Sequence, residues 1–140
     1  MPLFVLDTDH VTLFQRAHPA VRKRVLALPF GSVVSTIVTV EEQLRGRLKA
    51  VRRASDGPSL TAAYDRLQST LEFFQSLPIL GFDTPANERF TRLREMRIRI
   101  GTYDLRIAAV ALAADGVLVT ANVRDFSQVP ELNLEDWSIG

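Results

Sequence analysis

Short apolar runs alternate along this chain with longer stretches of helical period. Leu3-Phe4-Val5-Leu6 is apolar and brief, and residues 3–7 predict a buried strand that closes on Asp7. Thr8 or Asp9 is placed to cap a helix running to about Arg16. His18-Pro19 breaks it, and Val21, Val25, Leu26 and Leu28 mark a second amphipathic helix ending at Pro29. Val33 to Val38 is rich in β-branched residues and predicts a second central strand. Val40 to Ala54 has helical period, with Leu44, Leu48 and Val51 on one stripe. Ser55-Asp56-Gly57-Pro58 reads as a loop, Leu60 to Phe74 as a long helix, and Leu77 to Phe82 as a third strand. Thr84-Pro85 opens a helix to about Arg97, with proline in its first turn. Gly101-Thr102-Tyr103 interrupts before a helix from Asp104 to Ala114, which Asp115-Gly116 ends. Val117 to Thr120 predicts a fourth strand, and Leu134 to Ile139, containing Trp137, an edge strand. Strands alternating with helices in this way predict an α/β fold, three layers around a central parallel sheet. The paired helices between Val40 and Phe74 would project from it as a clip.

Length and composition narrow the class. A chain of 140 residues makes one domain, 1–140, long enough to bury a single core. With no cysteine, disulfides, zinc-thiolate sites and thiol nucleophiles are excluded. The N-terminus enters a strand-like run at once, and no stretch is long enough to span a bilayer, so a cytoplasmic protein without membrane association is expected. The net charge of +1 hides an asymmetry: among the basic residues only Lys23 and Lys49 are lysines, and the rest are arginines. Arginine's planar fork suits phosphate, although any single arginine is more readily a solvated helix position.

The acidic residues change the picture most. Asp7 follows the first strand, Glu42 the second apolar run, and Asp125 the fourth strand, while Asp104 starts an apolar helix. In parallel α/β sheets the carboxyl edge of the strands is where ligands bind. Each acid alone has a structural explanation as a helix cap, a first-turn acid favoured by the helix dipole, or an Asx-turn. Gathered together, four carboxylates repel one another unless a cation sits between them, and oxygen-only ligands suit Mg²⁺ or Mn²⁺. No histidine, cysteine or lysine stands at a matching strand end to act as nucleophile. His10, one turn beyond Asp7, reads as a helix-surface residue and His18 as loop. Water is then the attacking group, and a metal-dependent enzyme acting on phosphate is expected.

Four segments carry a resemblance. Leu6-Asp7-Thr8-Asp9, Thr39-Val40-Glu41-Glu42-Gln43-Leu44-Arg45-Gly46, Asp104-Leu105-Arg106-Ile107-Ala108-Ala109 and Thr120-Ala121-Asn122-Val123-Arg124-Asp125-Phe126 resemble, in order and spacing, the motifs of PIN-domain ribonucleases, above all VapC-type toxins of toxin–antitoxin pairs. The resemblance spans Asp7 to Glu135-Asp136-Trp137. It implies that Asp7, Glu42, Asp104 and Asp125 form a catalytic acidic quartet. Asp7 and Asp104 would be direct ligands of Mg²⁺ or Mn²⁺, with Thr120 and Asn122 as supporting polar groups. It also implies an endoribonuclease that hydrolyses RNA phosphodiesters, a VapB-type antitoxin as partner, and a homodimer. Arg106 and Arg124, the arginines nearest these acids in sequence, would guide the RNA backbone.

Asp9 stands where that family more often has asparagine, which adds a charge near the site. Glu41 and Glu42 point roughly 100° apart on a helix, so only one can face the cavity. Glu42, four residues before Gly46, has the family's spacing. Two other functions compete. Asp7-Thr8-Asp9-His10-Val11 fits the opening motif of haloacid-dehalogenase-type phosphatases, but that chemistry needs a lysine after a suitable strand, and neither lysine follows one. A binding module that keeps the fold without the chemistry has no need of four mutually repelling acids. A free-standing PIN nuclease without antitoxin is the remaining alternative.

Overall fold

The computed structural model describes residues 2–140. Five strands form one parallel sheet in the order β3-β2-β1-β4-β5. They are β1 (Phe4–Leu6), β2 (Val33–Thr36), β3 (Ile79–Leu80), β4 (Val117–Val119) and β5 (Asn133–Glu135). The helices are α1 (Thr8–Gln15), α2 (Pro19–Ala27), α3 (Ile37–Arg53), α4 (Gly57–Gln75), α5 (Thr84–Glu95), α6 (Thr102–Ala113) and the short α7 (Val123–Phe126).

Strand alternation divides the core between the two faces. Val5, Val34 and Leu118 point to the side covered by α5 and α6, where Phe90, Leu93, Leu105 and Ile107 pack. Phe4, Leu6, Val33 and Val119 point to the other side, against Val11, Val21 and Trp137. The result is the expected three-layer α/β/α fold, with α3 and α4 paired beside it.

Several boundaries differ from the sequence reading. The second strand stops at Thr36, and Ile37 and Val38 already belong to α3. Thr36 caps that helix, its Oγ1 accepting from the Thr39 amide at 3.1 Å, which turns the chain two residues early. The β-branched Val38 is buried against the α5–α6 side of the core, so its bulk serves helix packing. Gly57 and Pro58 are the first turn of α4 rather than loop: Asp56 accepts from the Ser59 amide, and Ser59 accepts back from the Asp56 amide. The third strand contracts to Ile79–Leu80. Trp137 lies beyond β5 and packs its ring against Phe4, the centroids 5.3 Å apart. Asp7, and neither Thr8 nor Asp9, caps α1. His18 is the cap of α2, its Nδ1 accepting from the Val21 amide at 3.3 Å. His10, expected on a helix surface, is fully buried.

Candidate active site

From β1 the chain passes to β2 on one side and returns through β3 and two helices to β4 on the other. The crevice at the carboxyl ends of β1 and β4 is therefore a topological switch point, where opened connections leave room for a ligand. A cavity of about 200 Å³ lies there, lined by Asp7, Thr8, Asp9, Glu42, Asp104 and Asn122, with Phe126 closing it. The sheet order explains why acids so far apart in sequence meet at this place.

Each side chain is held by its own local structure. Asp7 is buried, and its Oδ1 accepts from the His10 amide at 2.8 Å as the cap of α1. That bond occupies one carboxylate oxygen and leaves the other for the cavity. Glu42 stands on α3 and is fixed by Thr8, whose Oγ1 donates to its Oε1 at 2.6 Å. The Thr8 hydroxyl also lies 3.1 Å from that of Thr39. Glu41, its neighbour, is exposed to solvent. Asp104 enters from the first turn of α6, whose N-cap Gly101 supplies no side-chain oxygen.

Asp125 lies outside the cavity lining, at its rim, where its Oδ2 accepts from Asn122 Nδ2 at 3.0 Å. Thr120 is fully buried, and its Oγ1 accepts from the Asn122 amide at 2.9 Å, fixing the turn that carries Asn122. Of the residues singled out from sequence, Asp7, Glu42, Asp104 and Asn122 meet in the cavity, while Asp125 and Thr120 act on Asn122 from outside it. Thr8 and Thr39 escaped the sequence reading. Both lie within the motif segments, but no local signal showed that their hydroxyls would meet beside Glu42.

Electrostatics records the crowding. Asp104 is pushed up to about 6, by burial first and then by the charges of Glu42, Asp7, Asp9 and Asp125. Glu42 is raised by burial and by neighbouring acids, partly offset by the Thr8 hydrogen bond. Asp9, although more exposed, is raised by burial and by Asp7. The donor set is oxygen only and carries excess negative charge, which fits a hard divalent cation. As the side chains stand, no three acidic or histidine side chains among the described residues are gathered into a ready metal-holding group. Neither Lys23 nor Lys49 lines the cavity, so the lysine that the phosphatase alternative requires is missing from it.

The imidazole of His10 sits behind Asp7. Its Nε2 accepts from the Trp137 amide at 3.2 Å, which puts the proton of the neutral ring on Nδ1. That nitrogen lies 3.5 Å from Asp7 Oδ1 and has no hydrogen-bond partner.

A larger groove of about 620 Å³ opens beside the acidic cavity and shares Thr8 and Glu42 with it. Arg16, Arg47 and Arg66 line it, with Phe73 on one wall. The arginines expected at the mouth are placed differently. Arg106 stacks over the Phe90 ring at 5.4 Å from its centroid, and Arg124 is exposed and lines neither cavity.

Comparison with known proteins places this architecture. The family model of the PIN domain matches residues 4–132, and the chain belongs to the PIN-domain family. Among its relatives is the ribonuclease VapC2 of Rickettsia felis, 30% identical over 96% of this chain and 98% of that protein. The tRNA(fMet)-specific endonuclease VapC of Salmonella typhimurium is 27% identical over 96% of this chain and 97% of its own length. The crystal structure of DNA-bound VapBC from Salmonella typhimurium superposes with a TM-score of 0.81 at 27% identity, covering 98% of this chain and 99% of the matched one. VapBC2 of Rickettsia felis, bound to a DNA fragment from its promoter, gives a TM-score of 0.76 at 25% identity over 96% and 98%. Among the described residues, no helix is long and apolar enough to cross a membrane.

Proposed function

We propose that this protein is an endoribonuclease dependent on Mg²⁺ or Mn²⁺, and the toxin of a VapBC-type toxin–antitoxin pair. The observation that carries the reading is the cavity at the switch point, where Asp7, Asp9, Glu42 and Asp104 meet and hold Asp104 at about 6. Asp7 and Asp104 would hold the cation, with Glu42 and, through Asn122, Asp125 completing the quartet. When bound, such a cation would polarise the phosphate and neutralise charge on its oxygens.

The chain's own residues supply the rest. Thr8 orients Glu42 through Oε1 and leaves Oε2 to accept a proton from the attacking water, a role that the raised affinity of Glu42 for a proton favours. Water oxygen bonds to phosphorus, the bond from phosphorus to the leaving sugar oxygen breaks, that oxygen takes up a proton from solvent, and Glu42 returns its own to solvent. The cap hydrogen bond from the His10 amide keeps Asp7 from swinging away. Incubating purified protein with cellular RNA, with Mg²⁺ or with chelator, and sequencing the new 5′ ends tests this reading. Cutting that is absent with Mg²⁺, or undiminished by chelator, would sink it.

The named relatives support an antitoxin partner, because the superposed Salmonella and Rickettsia structures are VapBC complexes. The α3–α4 pair supplies apolar surface for one: Leu48, Leu60, Tyr64 and Leu71 are exposed on it. Phe73 and Phe74 contribute little to it, since both pack against the core around Leu6 and Val21. An amphipathic segment of the antitoxin laid along this pair would cover it. Co-expression with the neighbouring reading frame should yield a complex with suppressed ribonuclease activity. Separate elution, or full activity in the complex, would favour a free-standing nuclease. Light scattering on the isolated chain would decide whether it forms the homodimer that the family resemblance implies.

A further inference from the structure

The groove beside the acids gathers three cations from three helices. Arg16 closes the end of α1, Arg47 stands on α3 and Arg66 on α4. None of the three makes an ion pair among the described residues. Arg47 is half-buried and anchored: its Nε donates to Thr70 Oγ1 at 2.9 Å, and that hydroxyl donates to the Arg66 carbonyl at 2.8 Å. The anchor leaves the terminal nitrogens of Arg47 as donors into the groove. Burial, then Arg66 and Arg16, pull Arg47 below the ordinary guanidinium range, so the three like charges are near enough to repel. A folded chain that holds cations together in this way leaves a place for an anion.

The geometry points to a phosphate subsite: Arg16, Arg47 and Arg66 bind the backbone of single-stranded RNA next to the bond cleaved at Asp7 and Asp104. The assignment rests on the nuclease reading and goes beyond it by naming the groove and the groups that hold the substrate. A polyanion with regularly spaced phosphates can place one on the arginines and the next at the acids, because the two cavities meet at Thr8 and Glu42. Guanidinium forks donate in pairs to phosphate oxygens, and the Phe73 ring offers an apolar wall to an unpaired base.

Salt dependence tests this without catalysis. Binding of a short single-stranded oligouridylate to the full chain is followed by fluorescence anisotropy in EDTA as NaCl is raised. Arg47→Gln/Arg66→Gln should weaken binding roughly ten-fold or more at low salt. It should also make the log–log salt slope shallower by about 1.4, because two fewer phosphates of a single strand are neutralised. Arg47→Lys/Arg66→Lys should restore the slope. The exposed Arg66→Gln alone, expected to shift the slope by about half as much, serves if the double variant does not fold. Unchanged affinity and slope, in a protein whose wild type cuts RNA, would overturn the subsite and leave the nuclease standing. Variants that lose the antitoxin but keep the RNA slope would assign the arginines to a protein partner and also overturn it. A wild type that neither binds nor cuts RNA would remove the nuclease reading and this subsite together.

Discussion

Asp7 carries two loads at once, as the cap of α1 and as a wall of the acidic cavity, and substitution separates them. Asparagine caps helices as well as aspartate does, whereas alanine loses the cap at a cost of about 1 kcal/mol. Asp7→Asn should therefore remove RNA cleavage with stability kept, while Asp7→Ala should remove cleavage and lower the urea midpoint as well. Equal cleavage by Asp7→Asn and wild type in Mg²⁺ would contradict the placement of Asp7 in the site. The adjacent glutamates give a second comparison. Glu42 lines the cavity with its Oε1 on Thr8, and Glu41 faces solvent. Glu42→Gln should cost at least about 100-fold in cleavage rate, the usual scale for a lost general base, and Glu41→Gln little. The reverse ranking in single-turnover assays would put the wrong residue in the site.

At the scale of elements, the site depends on how β1 and β4 are brought side by side. Gly116 lies at the entry to β4, where an added Cβ would stand 3.0 Å from Val5 Cγ2 and 3.1 Å from the Leu3 carbonyl oxygen. One partner there is backbone of the strand leading into β1, which cannot move aside cheaply. Gly116→Ala should cost about 1–3 kcal/mol, as over-packing of a dense core does, read as a lower urea midpoint with unchanged slope. Wild-type stability in that variant would show that β1 and β4 are less tightly fitted than these distances imply. The same scale explains where the sequence pattern misled. Ile37-Val38 has a strand's composition, yet the Thr36 cap starts α3 there, because a hydrogen bond to the Thr39 amide outweighs a weak β preference.

For the whole molecule, the acidic cluster couples stability to pH and to metal. Asp104, raised to about 6 from an ordinary 3.8, binds its proton more tightly in the folded chain than in the unfolded one. That stabilisation is complete below about pH 4 and is lost as pH rises through about 6, with Glu42 and Asp9 shifted in the same direction. In chelator, Asp104→Asn should match wild type near pH 4 and exceed it at pH 7.5. The gain should be about 1–2 kcal/mol once solvent screening of this partly exposed group is allowed for. Added Mg²⁺ should raise the melting temperature of wild type and narrow the gap. A difference between the two proteins that does not vary with pH would mean the carboxylates are not coupled.

Much of this was written locally. Strand and helix type follow from short apolar runs and from the 3.6-residue period, which neighbouring residues fix by themselves, and Asp7, Asp104 and Asp125 were visible because each sits near an element's end, whereas Glu42 stands in the second turn of α3. Alternation of strands with helices was enough for a parallel three-layer sheet, since parallel strands need crossovers. Tertiary structure decided what depends on residues far apart in the chain. Thr8 reaches Glu42 only because α3 lies against α1, and His10 is buried only because the chain end brings Trp137 over it. The three arginines of the groove come from separate helices, none within two residues of an acid of the site, whereas Arg106, two residues after Asp104, is turned away onto Phe90. A short pattern records which face of an element is apolar. How elements pack is set by the shapes of all the side chains between them, and that packing placed the cations beside the acids.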